Sequence, residues 1–240
     1  MDLPDADHRT HLRLIHSLSA SLRRWNDRFD EEVRKTSERP ARDEYEVSQV
    51  IDIFYHAGFA DLARSHAFAC TIAAFLESLF KTNLPAVGHR GEIAIPSRNE
   101  RLVTLGGNRD LFWNPSMPKG RPGIAKNIQQ ILAITGLSGC FGADFGRIAE
   151  AIFDYRNQMV HNGFEWPLEI RLEFNRHVES GERSRWFSTS KSGELPWFFT
   201  ITPEFHETCL LTCDRAVLAF EGLVVGDWEL YEHKFGPRPK

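Results

Sequence analysis

Between His8 and Thr36 the apolar residues Leu12, Ile15, Leu18, Leu22, Trp25 and Phe29 return every three or four positions, the spacing of one helical face. This predicts a first helix, stopped by Pro40. The same spacing resumes at Asp43 and runs through Val47, Val50, Ile51, Phe54, Tyr55, Phe59, Leu62, Ala69, Ile72, Ala73, Leu76 and Phe80. A second helix is expected there, with Gly58 the place for a bend and Asn83-Leu84-Pro85 the place where it stops.

Residues 86–122 change character. Glu92-Ile93-Ala94-Ile95-Pro96 and Arg101-Leu102-Val103-Thr104-Leu105 read as short strands with turn residues between and after them, which predicts an inserted β-hairpin. A helix follows over Ile124–Thr135, then a Gly-rich break at 136–142, then a helix through His161. Beyond Asn162-Gly163, Arg185-Trp186-Phe187-Ser188-Thr189 and Trp197-Phe198-Phe199-Thr200-Ile201 flank Lys191-Ser192-Gly193-Glu194 and predict a second hairpin within 165–202. Thr202-Pro203 suits a helix start, with threonine as cap and proline in the first helical position, and that last helix runs to about Val225. The plan is a single, mainly α domain over residues 1–240, a helical bundle carrying two inserted β-hairpins.

The helix ending at His161 separates two kinds of position. At about 100° per residue, Phe145, Ile148, Ile152, Tyr155 and Met159 form an apolar stripe, while Glu150, Asp154, Asn157 and His161 fall within roughly 60° of one another. Arg156 precedes His161 by five positions, so a regular helix holds the two roughly 140° apart. They meet only if the last turn is distorted before Asn162-Gly163, or if a second copy of the chain completes the site.

The run Arg156-Asn157-Gln158-Met159-Val160-His161, within Tyr155–Gly163, resembles the arginine-to-histidine motif of the HEPN superfamily. That resemblance implies a helical bundle that dimerises with its motif helices facing. It also implies metal-independent cleavage of RNA in toxin–antitoxin or phage-defence settings, with no cofactor. The residue types suit such chemistry. Histidine can carry a proton either way near neutral pH, so His161 is the candidate acid or base. Arginine keeps its charge and presents a fork matched to phosphate oxygens, so Arg156 is the candidate clamp. Asn157 would orient the phosphate or the imidazole, Asp154 would support a protonated His161, and Glu150 and Glu77 are further carboxylates for the same cleft.

Other readings of the same residues stand beside this one. Arg156 can simply pair with Glu150 or Asp154, and His161 can simply favour the negative end of the helix. The same cleft can also belong to a catalytically inactive module that binds RNA, a nucleotide or a protein partner such as an antitoxin. Arg183 and Arg185, near Trp186, Phe187, Trp197 and Phe198, and the group Lys119 and Arg121 are candidate RNA contacts. Equally, those aromatics can pack under the hairpin while the arginines pair with nearby glutamates.

Composition narrows the field. A net charge of −4 excludes pervasive phosphate binding, so any RNA contact is local. The acidic start has no basic, apolar leader, and no window reaches the roughly 18 apolar residues of a membrane span. With four cysteines, Cys70, Cys140, Cys209 and Cys213, that lack the dense spacing of small disulfide-stapled domains, this points to a reducing cytoplasm. His206, Cys209 and Cys213 have helical spacing but lack a fourth metal ligand, so no metal site is expected.

Overall fold

A computed structural model describes residues 7–38, 44–96, 99–116, 123–179 and 181–237. The protein is mostly helical, with one two-stranded antiparallel sheet among the described residues. In order, the helices are α1 (His8–Ser37), α2 (Glu44–His89), α3 (Glu100–Thr104), α4 (Arg109–Trp113), α5 (Ile124–Ile134), α6 (Ser138–Phe141), α7 (Phe145–Asn162) and α8 (Leu168–Glu179). A 3-10 turn at Glu182–Arg185 leads to β1 (Phe187–Ser192) and β2 (Leu195–Ile201), and α9 (Pro203–Val225) and α10 (Glu229–Phe235) close the chain. Among these residues no helix is long and apolar enough to cross a membrane.

The chain divides into two compact units. One comprises Met1–Leu12, Ile72–Asp154 and Glu207–Lys240, the other Arg13–Thr71 and Tyr155–His206. The first is built on aromatic packing. Phe80, Phe141, Phe145 and Phe220 place their ring centroids 4.9–5.7 Å apart, and the Tyr231 hydroxyl donates to the Cys140 carbonyl at 2.9 Å, tying α10 down. Pro85 was expected to end α2, yet the helix continues to His89. Proline removes one intrahelical donor there at a cost of about 3 kcal/mol. Leu84 and Val87, on either side of it, are both buried and extend the apolar stripe, so burial outweighs the loss.

The hairpin expected within 86–122 does not form. Residues 92–96 are irregular and Arg101–Leu105 is helical with its closing turn. The asparagines read as turn residues are helix caps: Asn99 Oδ1 accepts from the Arg101 amide at 2.9 Å, and Asn108 Oδ1 accepts from Asp110 and Leu111 at 3.0 and 3.2 Å. Arg101 explains why helix wins over strand. Its guanidinium is buried and donates to the carbonyls of Phe112 and Asn114 and to Asn127 Oδ1 and Gln130 Oε1, at 2.9–3.2 Å. That set of acceptors closes residues 101–114 around one side chain. Pro40, Lys119 and Arg121 lie outside the described residues, as do the side chains of Leu22, Trp25 and Phe29.

In the second unit β1 and β2 pair from Phe187↔Ile201 to Ser192↔Leu195, close to the expected hairpin. Gly193, with φ +61°, opens the two-residue turn, a position that favours glycine. The register skips Trp197, so a bulge sits beside Pro196, which has no amide to donate. One face of the hairpin joins Tyr155, Trp166 and Phe174 to Phe187 and Phe199, with centroids 4.7–6.2 Å apart. Phe198 packs instead over Gly58 of α2, where the missing side chain leaves room for the ring, and the helix continues through that position. Thr202 caps α9 as expected, its Oγ1 accepting from the Phe205 amide at 3.2 Å. Helices α8 and α10 were not anticipated from the pattern of the chain.

Candidate functional site

The motif occupies the last two turns of α7. The predicted apolar stripe is the buried side: Phe145, Ile148, Ile152, Tyr155 and Met159 are all buried. Tyr155 fixes this half of the helix most firmly. Its ring is completely buried and its hydroxyl donates to the Phe199 carbonyl at 2.8 Å, and burial pushes the phenol far above its ordinary range. Arg156, next in the chain, inherits its direction from that anchor.

The helix keeps regular geometry to Asn162 and ends on Gly163, whose φ of +69° lets its amide reach back to the Met159 carbonyl at 3.0 Å. Arg156 and His161 therefore stay on different sides of the helix, and no distorted last turn brings them together. The Trp166 indole donates to the Gly163 carbonyl at 3.1 Å and holds the following turn.

Arg156 is half-buried and faces α2. Burial pushes the Cys70 thiol up, and the Arg156 charge opposes that push. Asn157 and His161 are exposed, and Val160, roughly 60° round the wheel from Asn157 on the side away from His161, is 55% exposed. Phe164, just past the helix, is 40% exposed and meets the ring of His66 edge-on at 6.2 Å. This end of α7 thus presents two apolar side chains around one imidazole and one amide.

His66 and Cys70 were not singled out from the sequence. They lie one turn apart on the same face of α2, a spacing that could have drawn attention once α2 was placed against the motif. The His66 Nε2 is buried and meets no hydrogen-bond partner among the described residues, a cost of roughly 1–3 kcal/mol that needs a reason.

Of the candidate carboxylates, Glu150 and Asp154 stand on α7 itself and Glu77 on α2; Lys126 lies 3.8 Å from Glu150, and Lys81 pairs with Glu77. Arg183 is half-buried and Arg185 lies 3.6 Å from Glu204 at the surface. The neighbouring Trp186, Phe187 and Phe198 are core residues, with Trp186 stacked on Phe205 at 4.8 Å, so their faces are closed to nucleic-acid bases. Cys209 and Cys213 are fully buried, and burial pushes both thiols up, away from the thiolate that binds a metal.

The chain matches no family model, no curated protein and no solved structure.

Proposed function

We propose that this protein is a metal-independent endoribonuclease that cuts single-stranded RNA in a cleft built from the motif ends of two copies, with a toxin-like or antiviral role and a HEPN-like bundle as its frame. The carrying observation is the end of α7, where Asn157, Val160 and His161 face outward and Phe164 lies exposed beside them. Apolar side chains around an exposed imidazole suit a self-complementary contact, because a two-fold axis there brings a second His161 to the first.

In this reading an imidazole takes the proton of the 2′-hydroxyl, whose oxygen attacks phosphorus. A second imidazole gives a proton to the departing 5′-oxygen, leaving a cyclic 2′,3′-phosphate. His161 supplies one of these groups, and His161 of the second copy or His66 supplies the other. Arg156 holds the phosphate oxygens as negative charge grows on them, and Asn157 orients them.

Cleavage of single-stranded RNA in EDTA tests this directly. Wild type cuts, while His161→Ala and Arg156→Ala do not; equal rates in all three end the proposal. The exposed Val160 and Phe164 also suit a second reading, an inactive module that binds RNA, a nucleotide or a protein partner such as an antitoxin. That reading gives binding without cleavage, and loss of binding on changing Arg156.

A further inference from the structure

The second unit contains a cavity of about 420 Å³, a volume in the range of small-molecule sites. It is separate from the motif. Asp61, Arg64, Ser65 and Phe68 line it from one face of α2, whereas His66 and Cys70 lie roughly 140–180° further round that helix. Residues of α1, the hairpin and the start of α9 line the other sides.

Among the residues that line it are two arginines, Arg23 and Arg64, and one carboxylate, Asp61, which ion-pairs with Arg64 and aims it. The Arg64 side chain is only 10% exposed, so an anion reaching it gives up little of the attraction to water. Paired guanidinium forks match phosphate oxygens better than any other common anion partner. Opposite them, Ser188 and Thr200 stand directly across the hairpin from each other, and their hydroxyls form no hydrogen bond with another described residue. The third element is a flat ring pair: Phe68 stacks on His206 at 3.8 Å with an interplanar angle of 23°.

We propose that this cavity binds a nucleoside 5′-phosphate. The phosphate sits on Arg23 and Arg64, the sugar hydroxyls reach Ser188 and Thr200, and the base lies along the Phe68–His206 wall. A bare anion would leave the hydroxyl pair and the aromatic wall unused.

Calorimetric titration of the full chain tests this with the 5′-monophosphates of adenosine, guanosine, cytidine and uridine, the parent nucleosides, and inorganic phosphate. At least one monophosphate binds about tenfold or more tightly than its nucleoside and than inorganic phosphate. Arg64→Lys, which keeps the charge and loses the fork, and Arg23→Ala each weaken it by about tenfold or more. His161→Ala leaves it unchanged, which keeps this site distinct from the motif. Arg23 is exposed, so its variant stays informative even if a change at Arg64 disturbs folding. The proposal is overturned if no monophosphate binds, if inorganic phosphate binds equally well, if Arg23→Ala has no effect, or if His161→Ala abolishes binding.

Discussion

Arg101 and Arg156 both belong to helices, and their surroundings are opposite in kind. Arg101 is 3% exposed and places four hydrogen bonds on neutral acceptors, with no carboxylate within its network, so burial holds its pKa below the ordinary arginine value. Arg156 is half-buried, its charge acts on a thiol across the helix pair, and its neighbours Asn157 and His161 open to solvent. A cation whose donors are all used inside the protein organises the chain. Arg156 stands beside polar groups that solvent reaches. On the proposed function, the contrast separates a residue that sets stability from one that sets activity.

The largest effect expected from that contrast is on turnover. On the proposed function, His161→Ala should lower RNA cleavage by about 10²–10⁴-fold, the usual contribution of a proton-transferring side chain, while leaving the urea midpoint within error. A variant that keeps the rate and loses stability would reverse the assignment. Arg101→Met should do the opposite. Four acceptors lose their donors, costing about 3 kcal/mol of unfolding free energy, with the rate per folded molecule preserved. If urea denaturation shows no loss, Arg101 is not the organiser described here.

A smaller loss should come from Gly88→Ala in the same unit. A Cβ at Gly88 would lie 2.3–2.5 Å from atoms of the Trp113 ring, which is buried, so overpacking should cost about 1–3 kcal/mol by thermal melting. An unchanged melting temperature would mean that the indole moves aside freely.

The smallest effect sharpens the position of Arg156. Cys70 is half-exposed while Cys140, Cys209 and Cys213 are buried, so Cys70 should be the thiol that a maleimide labels in the folded chain. Burial raises its pKa and Arg156 lowers it, so Arg156→Ala leaves burial unopposed and moves the pKa further up. At pH 7–8 the thiolate fraction then falls, and maleimide labelling should slow. Faster labelling would show that Arg156 was shielding the thiol instead. The sign also fixes the linkage: with its pKa raised on folding, Cys70 contributes stability that is present below the unfolded thiol pKa and lost as pH rises through the folded one.

The residues readable in advance were those whose pattern had one meaning. The stripe from Phe145 to Met159 separated core from surface on α7, and Gly193 with its alternating flanks announced the hairpin. Where two meanings competed, the local reading failed. Asn99 and Asn108 suit turns and helix caps alike, and only the buried Arg101 network decides between them. Leu168, Ile170, Leu172 and Phe174 alternate like a strand, yet Phe174 and Val178, four apart, are the buried pair of α8. His66 carried no local pattern at all. It gained meaning from Phe164, almost a hundred positions away in the chain.

Tyr155 carries a practical warning for genetics. Its ring and hydroxyl are wholly committed to the interior, immediately before Arg156. If the proposed function holds, a survey of random variants scored by loss of toxicity or defence would therefore return Tyr155 beside Arg156 and His161, as though all three touched RNA. Scoring the amount of protein in the same cells would separate them: Tyr155 variants should vanish with their protein, whereas inactive His161 variants should accumulate.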